Sequence, residues 1–388
     1  MNNKVGLVIA HTGTSYGMNL QAFATQYVIE KLGFDTEILR TKSHFPEGIY
    51  LGHGIIHHFI AQAKRRRQKK IHNLNRLTDD FHKKNNEERI KAAQTFRKDR
   101  LHNFSPVMDY KGLCKYSDRF KAVLVGSDQC WLPGFSFSYF NTLRFVPNSV
   151  KRISYATSLG VSEYPNYCRK SARDAWKKFD FLSVREEQGA NVIREICGDI
   201  DVRVVLDPTY LISKEEWLSL IPIEENQSDN YILSFMLGND DSQKEMIKKF
   251  ARAKELKLVS ILSNESSSSI DTTYADVLVT GASPEKFVNL IRGANYIFTD
   301  SFHGIAFSII NNKNFYCFYP KRDFAKGKSS RNSRIDNILH TFHLSDHLIN
   351  DYGEDYEIED KVIDYNTVNN ILSDKRDESL QFLKLALQ

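Results

Sequence analysis

The first forty residues alternate between strand and helix patterns around one loop of small residues. Lys4–Ala10 (KVGLVIA) is a continuous apolar run, which is typical of a strand covered on both faces. The loop 11–17 (HTGTSYG) follows, and apolar residues then recur at helical spacing over Leu20–Leu32. With a further strand at 34–39, this order predicts a βαβ unit whose loop lies at the carboxyl end of a parallel sheet.

Short apolar strands that end in polar or small residues recur through the rest of the chain. Further strands are predicted at 121–125, 152–155, 181–184, 202–206, 231–235, 258–262, 296–299 and 315–318. Helical patterns lie between several of them, at 189–196, 242–255, 284–291 and 304–310. This alternation predicts an α/β fold with two Rossmann-like domains that face each other across a cleft.

The length and composition of the chain suit two domains. A chain of 388 residues is too long for one ordinary core, and its 41% hydrophobic content is enough for two. A polar stretch at 224–230 (EENQSDN) is the predicted linker. We therefore expect an N-terminal domain at 1–223, a C-terminal domain at 224–345, and a helical tail at 346–388 that can pack back on the first domain.

The region 41–115 interrupts the alternation, and its polar, basic, helix-rich sequence predicts a helical insertion in the N-terminal domain. It contains the run 64–70 (KRRRQKK), and such a run is most often a solvated helical face. The alternative is a patch that contacts anionic lipid headgroups or an anionic acceptor. The formal charge of +5 is modest and few aromatic residues accompany the run, so the sequence does not favour a nucleic-acid partner.

The cysteines and the hydropathy of the chain indicate the cellular compartment in which we expect the protein. The five cysteines lie far apart and form no C-x-x-C pair, which disfavours a disulfide framework and a cysteine-rich zinc site. No stretch approaches the roughly 18 consecutive apolar residues that span a bilayer, and the N-terminus leads into a strand rather than a signal-peptide core. The expected location is the cytoplasm, with contact to the inner face of the membrane through 64–70 as the open alternative.

The glycine loop and the histidines argue against familiar cofactors. Gly13, Gly17 and Asn19 resemble a dinucleotide-binding loop only loosely, because the G-x-G-x-x-G spacing is absent. These glycines can still let a sugar or phosphate approach the backbone closely. The tightest histidine group, at positions 53, 57 and 58, has no acidic or cysteine partner nearby in sequence, so we expect no metal and no cofactor.

The stretch 299–310 (TDSFHGIAFSII) places His303 between a predicted strand and the start of a helix. Free amides and the helix dipole favour an anion at such a position. An imidazole there can donate to phosphate or exchange a proton with a substrate. The alternative is a structural histidine, although Asp300 and Ser301 add polar groups in the same turn and Gly304 follows directly.

Two further cationic segments are candidates for anion binding. Arg185 follows a predicted strand, where it either pairs with a neighbouring carboxylate or binds a carboxylate or phosphate through two N–H groups. The loop 326–334 (KGKSSRNSR) contains Arg331 and Arg334 and could close over an anion.

Several ordered segments together resemble the polysaccharide pyruvyl transferase family. The segments are SYGMNLQAFATQYVIEKLGF (15–34), VLVGSDQCW (123–131), ISYATSLG (153–160), LSVREEQGANVI (182–193), VVLDPTYLI (204–212), IFTDSFHGIAFSIINNKNF (297–315) and SRIDNIL (333–339). They occur in the order of the family and cover most of the chain outside 41–115.

The resemblance implies a fold like that of the GT-B glycosyltransferases, with the acceptor on the N-terminal domain and the donor on the C-terminal domain. It implies transfer of the pyruvyl group of phosphoenolpyruvate to a sugar as a ketal, without a metal. Arg185 and His303 match family positions. Ser301 departs from the pattern, because other branches carry an arginine there, so Arg331 or Arg334 would have to supply that charge.

The mechanism implied by the resemblance starts with protonation of the methylene carbon of phosphoenolpyruvate. One sugar hydroxyl attacks the resulting centre, and a second displaces phosphate. We assign His303 to proton transfer or phosphate contact and Arg185 to anion binding. Asp128, Gln129 and Asp207 are candidates for the acceptor side, although Asp207 in Asp-Pro could simply start a turn.

The acceptor expected from the resemblance is a nucleotide-, lipid- or glycan-linked sugar. Two alternatives remain from the sequence. One is a glycosyltransferase with a nucleotide-sugar donor in the same architecture, and the other is a non-catalytic scaffold in polysaccharide assembly.

Overall fold

The computed structural model describes residues 3–45, 80–224, 230–238, 240–263, 273–320, 332–350 and 356–388. Two parallel sheets, each flanked by helices, organise these residues. The expected α/β fold of two Rossmann-like units is confirmed. Within the described ranges, none of the helices combines the length and the hydropathy that a membrane span requires.

The first sheet has the strand order β3-β2-β1-β4-β5, and all of its pairings are parallel. Its strands are β1 (Lys4–Val8), β2 (Asp35–Thr41), β3 (Phe104–Met108), β4 (Ala122–Gly126) and β5 (Lys151–Tyr155). Two short parallel strands, β6 (Ser183–Val184) and β7 (Arg203–Val204), continue it through single bridges beside β5. The accompanying helices are α1 (Tyr16–Lys31), α2 (Asp80–Arg100), α3 (Tyr110–Ser117), α4 (Asn166–Trp176), α5 (Glu187–Cys197) and α6 (Lys214–Leu220).

The second sheet has the strand order β10-β9-β8-β11-β12-β13 and is also parallel throughout. Its strands are β8 (Tyr231–Phe235), β9 (Lys257–Ile261), β10 (Val277–Val279), β11 (Ala294–Thr299), β12 (Asn314–Phe318) and β13 (Leu348–Ile349). Its helices are α7 (Asp241–Ala253), α8 (Pro284–Gly293), α9 (Phe302–Ile310) and α10 (Ser333–Thr341). Because β13 belongs to this sheet, the sheet extends past the predicted boundary at 345.

Local sequence explains why these elements form where they do. Every residue of β4 and of β8 is buried, as expected for parallel strands covered by helices on both faces. Helices α1, α8 and α9 each begin after a serine whose side chain accepts a backbone N–H of the first turn, namely Ser15, Ser283 and Ser301. Each strand therefore passes through a capped turn into its helix, which places side chains at the carboxyl ends of the strands.

The region 41–115 is not purely helical, which corrects the sequence prediction. It contains α2 and α3, but β3 lies between them and forms the edge of the first sheet beside β2. The sequence of β3, FSPVM, includes Pro106, which an edge strand tolerates because one side of the strand needs no ladder hydrogen bonds. The basic run 64–70 and the histidines at 53, 57 and 58 lie outside the described residues.

The tail ends in helix α11 (Tyr365–Leu387), which packs against the first unit as predicted. The Phe382 ring lies 6.3 Å from that of Tyr155 and 6.2 Å from that of Phe181, between ring centroids. The backbone N–H of Leu206 donates to the Ser379 hydroxyl at 3.0 Å. The tail therefore connects the second sheet to the first.

Candidate active site

The two parallel sheets bring four strand ends together around one buried cluster. Asp128 follows β4, Arg185 follows β6, and Asp207 follows β7 in the first unit. His303 comes from the second unit, as the second residue of α9. Carboxyl ends of parallel strands are where such sheets bind ligands, so this cluster is the candidate site.

Asp207 is the centre of the cluster, with a side chain that is 0% exposed. Its Oδ2 accepts from the Ser127 hydroxyl at 2.9 Å and from Arg185 Nη1 at 2.8 Å. Its Oδ1 accepts from the Thr209 backbone at 3.1 Å and from the Thr209 hydroxyl at 2.8 Å. The Thr209 contacts make Asp207 the cap of the turn at Pro208–Leu211, which confirms the turn-forming interpretation of Asp-Pro.

The carboxyl group of Asp207 is held in its ionised form. Burial alone would raise its pKa. The imidazole of His303 when it is protonated, the guanidinium of Arg185 and the two hydrogen bonds from Thr209 outweigh burial, so the pKa of Asp207 is lowered. An anionic carboxylate therefore lies at the boundary between the two units.

Arg185 contacts three carboxylates and has a side chain that is only 1% exposed. Its Nε lies 3.2 Å from Glu186, its Nη1 2.8 Å from Asp207, and its Nη2 3.4 Å from Asp128. Its guanidinium carbon also lies 4.4 Å from the centre of the Phe302 ring. Burial acts to lower the pKa of Arg185, but the three carboxylates outweigh burial and raise it.

These contacts correct the role predicted for Arg185. The sequence predicted a guanidinium that binds an anionic ligand, whereas the structure encloses it among carboxylates with almost no surface open to a ligand. The geometry fits a residue that organises Asp128, Glu186 and Asp207. The structure favours the other interpretation of the sequence, in which Arg185 pairs with a neighbouring carboxylate.

His303 is buried between the two units, and its side chain is 10% exposed. Its Nε2 lies 3.8 Å from Asp207 Oδ2, beyond hydrogen-bonding distance, and is buried with no hydrogen-bond partner among the described residues. An unpaired buried polar group costs about 1–3 kcal/mol. Burial lowers the pKa of His303 and Arg185 lowers it further, while Asp207 opposes the shift, so the ring is neutral near pH 7.

Gly17 contacts the imidazole directly. A Cβ at position 17 would lie 2.0 Å from His303 Nδ1 and 2.2 Å from His303 Cγ, distances that no real side chain can adopt. Gly17 belongs to the first turn of α1, in the glycine loop singled out from the sequence. The glycine therefore makes room for the catalytic candidate, whereas the sequence had predicted contact with substrate.

The turn between β11 and α9 is held by its own hydrogen bonds. The Asp300 carboxylate accepts from the backbone of Leu237 and of Gly238, both at 2.6 Å. The Ser301 hydroxyl accepts from the Gly304 backbone at 3.4 Å. A Cβ at position 304 would lie 2.4 Å from the Thr299 hydroxyl oxygen. All three residues therefore have structural roles in this turn. The substrate contacts predicted for Asp300, Ser301 and Gly304 stay predictions.

Arg334 is the partly exposed cation of the site. It lies on α10, and its positive charge is close enough to His303 to lower the pKa of that residue. With the Gln129 amide oriented to accept, its oxygen lies 2.8 and 3.0 Å from the two terminal nitrogens of Arg334. The structure thus brings Gln129 and Arg334 together across the two units, while Arg331 lies outside the described residues.

Gly13 and Asn19 organise the glycine loop from within. Asn19 is fully buried, and its amide donates to the backbone oxygens of Gly13 at 3.2 Å and Ser15 at 2.8 Å. Arg97 of α2 donates to the Gly13 oxygen at 2.8 Å and to the Asn19 side chain at 3.2 Å. These contacts give both residues a structural role, and their predicted contact with substrate stays a prediction.

Sequence reasoning missed several residues that hold the cluster. Ser127 and Thr209 bind Asp207 and stand next to predicted residues in the strand-end segments, so their position was a usable signal. Asn337 of α10 donates to the Arg185 backbone oxygen at 3.2 Å and accepts from the Glu187 backbone at 2.9 Å. Arg97 carries no local sequence signal, since only the tertiary fold brings α2 to the glycine loop.

A cavity of about 590 Å³ lies elsewhere, at the amino end of the second sheet. Arg292, Lys313 and Tyr365 are among the residues that line it. Ligands of parallel sheets bind at the carboxyl ends of the strands, and none of the cluster residues borders this cavity. The chemistry of the side chains therefore places the candidate site at the cluster rather than at this cavity.

Comparison with solved structures finds proteins of similar length at very low sequence identity. The UDP-GlcNAc 2-epimerase from Methanocaldococcus jannaschii is 11% identical, with a TM-score of 0.49 over 95% of this chain and 92% of the other. The Neisseria meningitidis UDP-GlcNAc 2-epimerase bound to UDP-GlcNAc is 11% identical, with a TM-score of 0.47 over 99% and 94%. An alpha-glucosyltransferase in complex with UDP and DNA is 8% identical, with a TM-score of 0.46 over 98% and 94%.

No curated protein matches the chain by sequence. A family model described as polysaccharide pyruvyl transferase matches residues 16–322, which is most of the chain. The match spans α1 with Gly17, the strand ends that carry Asp128, Arg185 and Asp207, and the turn with His303. The chain therefore belongs to the polysaccharide pyruvyl transferase family.

Proposed function

We propose that this protein transfers the pyruvyl group of phosphoenolpyruvate to two hydroxyls of one sugar, forming a pyruvate ketal. The sugar would belong to a surface polysaccharide or to its nucleotide- or lipid-linked precursor. The observation that carries the proposal is the buried, unpartnered Nε2 of His303 beside the Asp207 carboxylate, at a position that the family model covers. The reaction needs a proton-transfer group, and an imidazole beside a carboxylate suits that role.

The proposed reaction adds one sugar hydroxyl across the double bond of phosphoenolpyruvate. The hydroxyl oxygen bonds to C2 and a proton is delivered to C3, which becomes the methyl group. The second hydroxyl then bonds to C2 as the C2–O bond to phosphate breaks, and its proton leaves with the phosphate. His303 is suited to the proton transfers, because burial keeps it neutral near pH 7 and able to accept a proton.

The negative charge of the donor needs a cation near His303. Arg334 is partly exposed and lies close to His303, so we assign it to the phosphate or carboxylate of phosphoenolpyruvate. Asp128 is 24% exposed, unlike the buried Asp207, which suits it to contact an acceptor hydroxyl. The basic run 64–70 is proposed to bring the enzyme to lipid-linked acceptors at the inner face of the membrane.

The decisive assay measures phosphate release from phosphoenolpyruvate with a panel of nucleotide-, lipid- and glycan-linked sugars. We expect phosphate release that depends on the acceptor and continues in excess EDTA, because the chemistry requires no metal. Turnover of a nucleotide sugar without phosphoenolpyruvate would replace the proposal with glycosyl transfer. No turnover with any acceptor, together with no thermal stabilisation by phosphoenolpyruvate, would argue against it.

Variants test the assigned roles in the same assay. His303→Gln should abolish turnover because glutamine cannot exchange a proton. Arg334→Ala should raise the KM for phosphoenolpyruvate about tenfold to a hundredfold, as expected when one charged hydrogen bond is lost, and Arg334→Lys should recover part of the loss. An unchanged KM in Arg334→Ala would show that Arg334 does not bind phosphoenolpyruvate.

A further inference from the structure

The cluster contains a carboxylate and an imidazole that come from different units of the chain. Asp207 follows β7 in the first unit, and His303 begins α9 in the second. They approach to 3.8 Å between Asp207 Oδ2 and His303 Nε2, and both are buried. The sequence suggested Asp207 for the acceptor side, but its side chain is 0% exposed and cannot contact an acceptor in this arrangement.

The other residues of the cluster hold Asp207 in place through hydrogen bonds but make none on the side that faces His303. Ser127, Arg185 and Thr209 supply four hydrogen bonds to its two oxygens. His303 is the remaining neighbour of Oδ2, and its Nε2 is the group without a hydrogen-bond partner. A carboxylate held in this way favours the imidazole tautomer that carries its proton on Nε2.

The two edges of the imidazole therefore differ. Nε2 is buried beside Asp207, whereas Nδ1 makes no hydrogen bond within the described residues and is not fully buried. Gly17 packs against the ring, since a Cβ there would lie 2.0 Å from Nδ1 and 2.2 Å from Cγ, so the glycine allows the imidazole to hold this position. With the proton on Nε2, the lone pair of Nδ1 is free for an incoming hydroxyl.

We propose that Asp207 is a positioning residue that acts across the boundary between the two units, orienting His303 with its proton on Nε2 and its Nδ1 toward the acceptor hydroxyl. The Nε2–Oδ2 distance would shorten into hydrogen-bonding range when substrates bind, as catalytic contacts commonly do. The inference rests on the proposed function for its effect on turnover, but the pairing itself can be measured without turnover.

Other charged groups near His303 also affect its titration. Arg185 and Arg334 are cations, and Asp128 is a second carboxylate whose influence is smaller than that of Asp207. Asp207→Asn removes the nearest negative charge, so the positive charge of Arg185 is less fully neutralised. Both changes should make the imidazole harder to protonate.

The first measurement uses nitrogen NMR on the wild-type protein labelled in histidine, with the His303 signals identified by their loss in His303→Gln. We expect the neutral ring to carry its proton on Nε2. A neutral ring protonated on Nδ1 would overturn the inference. This measurement needs no variant at Asp207, so it holds even if Asp207→Asn fails to fold.

The second measurement compares the titration of His303 in Asp207→Asn and in a matched control. The pKa of the ring should fall by about one unit or more in Asp207→Asn, in line with the loss of one opposite charge at this distance. Ser127→Ala removes a hydrogen bond to the same oxygen but keeps the charge, so His303 should titrate no lower than in wild type. Equal pKa values in wild type and Asp207→Asn would overturn the inference.

Turnover separates this inference from the proposed function. If the function holds, Asp207→Asn should lower kcat about a hundredfold or more while the KM for phosphoenolpyruvate changes little, as for other orienting carboxylates. The lower limb of the pH profile should shift in the same direction as the NMR titration. If NMR gives the expected result but no acceptor supports turnover, the pairing of Asp207 with His303 would stand and the proposed reaction would be rejected.

Discussion

At the scale of single residues, the site depends on which groups are buried and what they contact. Arg185 is an arginine at a strand end, a position that suits anion binding, yet three carboxylates surround it and its side chain is 1% exposed. Asp207 is part of a turn and also the carboxylate that Arg185 and His303 share. Residue type and position predicted a functional role for these residues, and the fold decided how deeply each is buried and which groups it contacts.

Gly17 offers a test of how tightly the imidazole is placed. Gly17→Ala would put a Cβ 2.0 Å from His303 Nδ1, so the ring must move. We expect about a hundredfold loss of kcat, since displacements of about 1 Å cost that much. The melting temperature should fall only modestly, because overpacking costs about 1–3 kcal/mol and the helix propensity of alanine offsets about 1 kcal/mol of it.

The matched control for Gly17→Ala is Gly13→Ala in the same loop. A Cβ at position 13 would approach the terminal methyl of Met18 at 2.8 Å, and that flexible side chain can move away. Gly13→Ala should therefore keep most of its activity. Equal activity in the two variants would show that His303 is not confined by Gly17.

Ser301 offers a test of structural against ligand-binding roles. As the cap of α9, its hydroxyl accepts from the Gly304 backbone. Ser301→Ala should lower the free energy of unfolding by about 1 kcal/mol, and Ser301→Asp should largely preserve it, because aspartate also caps helices. Urea titration measures both, and equal stabilities for the two variants would contradict a capping role.

At the scale of elements, helices from distant parts of the sequence hold the site in place. Helix α2 reaches the glycine loop through Arg97, and α10 reaches the Arg185 turn through Asn337. Helix α11 reaches the end of β7 through Ser379, which accepts from the Leu206 backbone next to Asp207. Each helix contributes polar contacts that a strand-end loop could not make on its own.

Ser379→Ala tests the contact between α11 and the first unit. The substitution leaves the buried Leu206 N–H without its acceptor, so we expect a loss of about 1–3 kcal/mol in the free energy of unfolding. Ser373→Ala is the control, because Ser373 is exposed on the same helix. Denaturation curves that shift equally for the two variants would show that the contact contributes no stability.

At the scale of the whole molecule, buried ionisable groups link stability to pH. The pKa of His303 is lower in the folded protein than its ordinary 6.5, mainly because of burial. Burial also lowers the pKa of His11 and of His347. The unfolded chain therefore binds more protons below about pH 6.5, and the free energy of unfolding should fall as the pH drops below that value.

Asp207 adds to this loss at lower pH. Its pKa is lowered from 3.8 in the folded protein, so its stabilisation is complete above that value and is lost as the pH falls through the folded pKa. Glu37 and Glu216, whose pKa values are lowered from 4.5, contribute below about pH 5, so the window from about pH 6.5 to 5 belongs to the histidines. His303→Gln should flatten the decline in this window by up to about 1.4 kcal/mol per pH unit, measured by urea titration. Identical slopes for wild type and variant would show that burial leaves the titration of His303 unchanged.

The sequence by itself determined the alternation of strands and helices, because apolar runs and helical periodicity follow from which faces must be buried. It also identified strand ends that meet in the buried cluster, since His303, Arg185 and Asp207 were all singled out from their positions. It missed β3, whose exposed positions and proline conceal an edge strand, and β10 and β13, which are too short to show periodicity.

Only the tertiary structure decided how those strand ends meet. Positions 17, 207 and 303 are far apart in the chain, and no local pattern predicts that a glycine, a carboxylate and an imidazole will touch. The enclosure of Arg185 and the approach of His303 to Asp207 follow from burial and from distances of a few ångströms. Electrostatic energies depend on both, and neither is encoded in the spacing of residues along the chain.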